Sequence, residues 1–194
     1  LYNLDTLVYP NAISISFKLN KNTIKEDYMI YSGSYLFKPN KDAIDYLNKL
    51  VMPQLVKKIP NIKLLLTGGG FNDRYPWLIN KGIVSKNKLY NLIYHSKLMC
   101  VPLNFGSGTR IKIIESLSIG AIVLSTQKGI EGINLKNLNP PFVTNNRKNF
   151  LKIIYRIIQD NKDIKYKSLK DKFFYKNKYS MKNITQNFIK KYLR

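Results

Sequence analysis

The chain has 194 residues, 44% of them hydrophobic, and a formal net charge of +22. That length suits one sizeable α/β domain with a real core; no run of about 18 apolar residues occurs that could span a membrane, and no signal-peptide pattern opens the chain. The charge rests on 28 lysines against 5 arginines, beside 22 asparagines and 24 isoleucines, a profile expected from AT-rich codons more than from nucleic-acid readout, which favours the planar guanidinium.

Residues 1–27 are polar and irregular apart from "TLVYPNAISI", and the chain opens on Leu1, so a piece of a longer protein is expected. "DYMIYSGSY" predicts a strand ending at Gly33. Asn40 is the candidate cap of a helix carrying Ala43, Ile44, Leu47, Leu50 and Val51 at helical spacing. Pro53 bends or breaks it, with Leu55, Val56 and Ile59 continuing the apolar face. "NIKLLLTGGG" reads as a strand buried on both faces, and "YPWLINKGIV" as a short one. A helix capped by Ser85 presents Leu89, Leu92 and Ile93. Further strands are expected in "KLMCVPL", "AIVLST" and "PPFVT", with a helix over 109–119. From Asn146 onward two amphipathic helices, "RKNFLKIIYRIIQ" and "YSMKNITQNFIKKYL", fall in a region with 15 Lys or Arg against 3 acids. Strand and helix alternate from 28 to 145, which predicts a Rossmann-like parallel sheet with helices on both faces and ligand beyond the carboxyl ends of its strands. The expected organisation is a leading segment (1–27), a ligand-binding domain (28–145) and a basic helical extension (146–194).

The stretch "VPLNFGSGTRIKIIESLSIG" concentrates the chemistry. Glycines before a helix let backbone N–H groups approach an anion, and the helix N-terminus favours negative charge. Gly106, Ser107, Gly108 and Thr109 thus form a candidate phosphate cradle, with Arg110 and Lys112 adding charge. Neither GxxxxGK[ST] nor GxGxxG is present. Glu115 follows Thr109 by six residues, about 9 Å along a helix. Either it is an ordinary solvent-facing glutamate, or, surrounded by Ile111, Ile113, Ile114, Leu117 and Ile119, it accepts ribose hydroxyls one sugar away from the phosphate.

In order along the chain, "VYPNAI", "YSGSYLFKPNKDAIDYL", "LLLTGGG", "GIVSKNKLYNLIYHSKLMCVPL", "FGSGTRIKIIESLSIGAIVLST" and "KGIEGI" resemble the donor-binding domain of family 4 glycosyltransferases, the retaining enzymes of GT-B fold. The resemblance covers residues 7 to 133 and implies one half of a two-domain enzyme. A missing N-terminal acceptor domain would precede it, and the last helix would cross back to that domain. In the family the final glutamate of an E-x7-E pattern binds the ribose, which implies Glu115. Ser107 stands where the first glutamate would fall, and Ser34 where an arginine commonly serves the diphosphate. Lys38, with Arg110 or Lys112, is then the candidate source of charge. Gly33 and Ser34 would admit ligand, and Val84, within 82–85, would meet the nucleobase through its backbone. The implied activity is retaining transfer of a hexose from a UDP- or GDP-linked donor to a glycan or lipid-linked acceptor. Arg110, Lys112 and Glu115 would be the catalytic residues, with no metal and no cofactor beyond the substrate.

Other signals are weaker. His95 is the only histidine and no Cys, Asp or Glu cluster accompanies it, which predicts a structural or surface role. Cys100 reads as a buried thiol, and lone cysteine usage suits a reducing compartment. The Gly68–Gly70 run reads as a strand-end turn, while Glu131 either contacts ligand or caps a turn. The basic helices could dock on an anionic membrane, so the expected location is the cytoplasm or the inner face of a membrane. Tyr and Lys in "YKSLKDKFFYKNKY" could stack on single-stranded nucleic acid, but a solvated helix with an aromatic face is the more ordinary reading. A non-catalytic nucleotide-sugar-binding module and a basic nucleic-acid-binding protein are the alternative functions.

Overall fold

The computed structural model describes residues 9, 11–14, 27–133, 135, 142–159 and 172–192. Most of the leading segment and the whole stretch 160–171 therefore lie outside the described residues, as do parts of the VYPNAI and Tyr/Lys motifs.

Six strands form one sheet, β1 (Tyr28–Ser32), β2 (Lys63–Thr67), β3 (Leu78–Asn80), β4 (Leu98–Val101), β5 (Val123–Thr126) and β6 (Phe142–Thr144). Every pairing is parallel and the order is β3-β2-β1-β4-β5-β6. The expected Rossmann-like α/β class is thus the one observed. The order reverses between β1 and β4, which opens a crevice beyond their carboxyl ends. The inner strands are continuous apolar runs because both faces are covered: Met29, Ile30, Leu64, Leu98, Met99, Cys100 and Leu124 are all buried.

The helices are α1 (Lys38–Tyr46), α2 (Met52–Lys58), α3 (Lys86–His95), α4 (Ile111–Ser118), α5 (Phe150–Gln159), α6 (residues 172–178) and α7 (Met181–Tyr192). Two sequence expectations are corrected here. Asn40 is not the cap of α1: Phe37 occupies that position, and Pro39 lies in the first turn, where its missing N–H costs nothing. Of the bend or break expected at Pro53, the break does not occur. The turn Leu47–Val51 widens to a π-helix, and the Met52 N–H reaches back to the Leu47 carbonyl, so the path continues into α2. Ser85 does cap α3, its Oγ accepting from the Lys88 N–H.

α5 sends Phe150, Ile154 and Ile157 into the core, where the Tyr46 ring meets Phe150 edge-on. The described part of the leading segment lies against the C-terminal helices. The Ile13 N–H donates to the Tyr179 carbonyl at 2.8 Å, and Tyr9 packs edge-on against Phe188. No described helix is long and apolar enough to cross a membrane.

Candidate functional site

Four loops meet above the crevice. At the end of β1, Gly33 has φ +154°, and a Cβ there would lie 2.7 Å from Asn40 Nδ2 and 2.9 Å from Lys112 Nζ. Only a glycine lets both side chains close over the end of this strand. At the end of β2, a Cβ on Gly68 would fall 2.4 Å from the Gly33 carbonyl oxygen. The Gly68–Gly70 run is thus the strand-end turn expected; its Gly69 carbonyl accepts from the Tyr35 N–H, and the Gly68 N–H donates to the Gly82 carbonyl. That second bond ties the 82–85 loop, with half-buried Val84, to the same edge.

The loop after β4 carries the glycine motif. Ser107 and Gly108 are exposed, Gly106 and Thr109 partly so, and none of the four amides from Gly106 to Thr109 donates a hydrogen bond among the described residues. Arg110 folds back beneath the loop, its Nη1 donating to the carbonyls of Ser107 and Gly108. Arg110 is 9% exposed, and its Nη2 is buried without a hydrogen-bond partner. A buried guanidinium nitrogen left unpaired is costly.

α4 starts at Ile111, two residues later than expected, leaving Thr109 and Arg110 in the loop. Lys112 Nζ donates to the Tyr31 hydroxyl at 3.2 Å and to Asn40 Oδ1 at 3.0 Å, and lies 4.4 Å from the Tyr31 ring centroid. The Tyr31 hydroxyl also donates to Asn40 Oδ1 at 2.7 Å, while Asn40 Nδ2 donates to the Ser34 carbonyl at 2.9 Å. Burial, and then the neighbouring Arg110 guanidinium, lower Lys112 to about 7.

One turn on, the Glu115 side chain is only 12% exposed, so it is not the ordinary solvent-facing glutamate. Its Oε1 accepts from the Tyr90 hydroxyl at 2.7 Å and pairs with Lys86 Nζ at 3.2 Å, both groups coming from α3. Burial and then the bond to Glu115 push the Tyr90 phenol up to about 12, which keeps it a donor at neutral pH.

The crevice thus has Arg110 and Lys112 beside a loop of four free amides and, one helical turn away, a carboxylate held by Tyr90 and Lys86 of α3. A sequence profile of the glycosyl transferases group 1 matches residues 26–160, well over half of the chain. The chain belongs to this family. No curated protein matches it. Solved structures with the same fold include TarM of S. aureus, determined with fondaparinux, alpha-GlcNAc-glycerol and UDP (17% identity, TM-score 0.72, covering 97% of this chain and 40% of that one). HepE of Anabaena with UDP-glucose follows at 14% identity and TM-score 0.63, covering 84% and 47%. The pneumococcal O-GlcNAc transferase GtfA with UDP and GlcNAc stands at 15% and 0.61, covering 94% and 37%. The chain thus spans less than half the length of each of these three.

Within this group 1 glycosyl transferase, the crevice brings together Gly33, Lys112, Arg110 and the Gly106–Thr109 loop. Glu115 follows one helical turn on from Lys112, and Val84 is half-buried in the loop tied to the end of β2. Ser34 is exposed, and its carbonyl orients Asn40. Lys38 is exposed at the start of α1, and Lys112, not Lys38, is the lysine seated over Gly33. Glu131 pairs with Lys128 at 2.8 Å within an exposed turn. His95 and Cys100 are buried, and burial pushes the Cys100 thiol up, away from reactivity. Among the described residues no group of three or more His, Cys, Asp or Glu could hold a metal. Sequence reasoning missed Tyr31, Tyr90 and Lys86 altogether.

Proposed function

We propose that the crevice binds a nucleoside-diphosphate sugar and that the whole enzyme transfers its hexose, with retention, to a glycan or lipid-linked acceptor. The observation that carries this reading is the pair of basic side chains without counter-ions, Arg110 with an unpaired buried nitrogen and Lys112, beside four free amides. Such a site fits a diphosphate. Glu115, already buried and held by Tyr90, stands where it can accept the ribose hydroxyls. A UDP-linked donor is favoured because UDP or UDP-glucose occupies HepE, GtfA and TarM.

Transfer breaks the bond between the anomeric carbon and the β-phosphate oxygen, and that bond's electron pair stays on the phosphate. Arg110, Lys112 and the loop amides would stabilise the added charge, with no metal or further cofactor. Retention is supported by the likeness of the Glu115 helix to the retaining family's motif. Exposed Leu36, Phe37, Ile83 and Phe105 rim the crevice, which suits closure by a second, acceptor-binding domain. The basic α6 and α7 region suits a cytoplasmic enzyme that docks peripherally on an anionic membrane.

Calorimetric titration of UDP-glucose, UDP-GlcNAc and GDP-mannose into the chain, beside Glu115→Ala, tests the reading. The expected result is saturable binding of one donor, weakened about tenfold or more by the substitution, the loss of a hydrogen bond to a charged group. Binding indifferent to Glu115 would overturn it, and steeply salt-dependent binding of nucleic acid instead would favour a basic nucleic-acid binder.

A further inference from the structure

The Lys112 amine has no counter-charge beside it, and its neighbours explain what it waits for. Both atoms that accept from its Nζ are neutral oxygens. Asn40 can turn only its oxygen toward Lys112, because its amide nitrogen is committed to the Ser34 carbonyl. The charged and titratable groups around Lys112 and its partner Tyr31 come from several elements. From β1 comes the Tyr31 phenol, which burial pushes up, so that it stays neutral. From α1 comes Asp42, paired with Arg147 of the segment after β6; Arg147 is held in addition by the Pro102 carbonyl and the Tyr46 ring. From the loop before α4 comes the Arg110 guanidinium. Among the described residues no carboxylate makes an ion pair with Lys112.

We propose that Tyr31 and Asn40 are positioning residues that hold the Lys112 amine over Gly33 with no counter-charge, and that this amine takes up one proton as the donor diphosphate binds. The inference rests on the donor-site reading. The proton comes from the solvent buffer: the Nζ lone pair forms the new N–H bond and the buffer acid is left as its base. The ligand supplies the missing counter-charge, so the ammonium is stable only in the complex. Lys112 stands at about 7 in the free protein, so donor affinity falls as pH rises above that value, by up to about tenfold per unit. The diphosphate of a nucleotide sugar is a diester, fully ionised throughout this range, and contributes no proton of its own.

The test is calorimetry with UDP-glucose in two buffers of different ionisation enthalpy, about one pH unit above and one below the Lys112 midpoint. Uptake of about 0.9 proton per donor is expected at the higher pH and about 0.1 at the lower. Asn40→Asp keeps the shape but supplies a carboxylate, so Lys112 stays charged without ligand; its uptake should fall to near zero at both pH values. A purely structural role for Asn40 would leave uptake unchanged. Donor binding without proton uptake would overturn the inference and leave the donor site standing, whereas failure of the chain to bind any UDP- or GDP-sugar would remove both. Carbon NMR of labelled lysines gives a readout that needs no donor. The Lys112 signal, identified by its loss in Lys112→Arg, should titrate near neutrality, and a midpoint in the ordinary lysine range would overturn the inference.

Discussion

Two successive turns of α4 are built on opposite principles. At Glu115 the charge is satisfied before any ligand arrives: the carboxylate accepts from Tyr90 and pairs with Lys86. At Lys112 and Arg110 the basic groups are not satisfied. One lysine amine leans on two neutral oxygens, and one guanidinium nitrogen has no partner. A satisfied group must exchange partners to bind, so it contributes selectivity more than affinity. An unsatisfied group regains on binding what its burial cost. The difference assigns affinity for the diphosphate to the N-terminal turn of the helix and discrimination of the nucleoside to the turn facing α3.

That division can be broken most severely at Arg110. Arg110→Ala should weaken UDP-sugar binding about a hundredfold, the scale for truncating one partner of a buried charge pair, and calorimetry reads it directly. A loss no greater than that of Glu115→Ala would erase the distinction between the two turns.

Lys112→Met sharpens the comparison through stability. The folded chain holds Lys112 at about 7 against an ordinary value of 10.5, so between these values the unfolded chain binds the extra proton and wild-type stability rises with pH. The advantage of Lys112→Met over wild type should therefore be constant below about pH 7 and shrink as pH rises toward 10.5. Urea melts at three pH values measure it, and a constant difference across the range would mean that Lys112 is not held as described.

Tyr90→Phe should have the smallest effect. It removes one hydrogen bond to a carboxylate whose other partner, Lys86, gives way to ribose, so affinity should fall about threefold to fivefold. The loss should appear equally with UDP and UDP-glucose, since Tyr90 acts on the nucleoside side.

What the sequence reveals depends on distance along the chain. The parallel sheet was readable because each inner strand is a short apolar run bounded by glycine or a helix signal. The glycine loop, Arg110, Lys112 and Glu115 were readable because they lie within ten consecutive residues, and a glutamate amid isoleucines has no local excuse. Asn40 was misread because a polar residue before an apolar periodic run resembles a cap; Pro39, at home in a first helical turn, was the signal that the helix had already begun. Tyr31 and Tyr90 were not readable at all. Their hydroxyls meet partners 81 and 25 residues away, and until strand order brings β1 beside β4 a tyrosine in an apolar segment looks like core. The seat of Lys112 over Gly33 is likewise a product of tertiary packing.

A crystal structure of the chain with a bound UDP-sugar tests the central claim most directly. The account predicts diphosphate oxygens within hydrogen-bond distance of Arg110 Nη2, Lys112 Nζ and the Gly106–Thr109 amides, with ribose hydroxyls on Glu115 and Lys86 displaced from it. A nucleotide bound elsewhere, or a diphosphate that leaves Arg110 Nη2 unpaired, would contradict it.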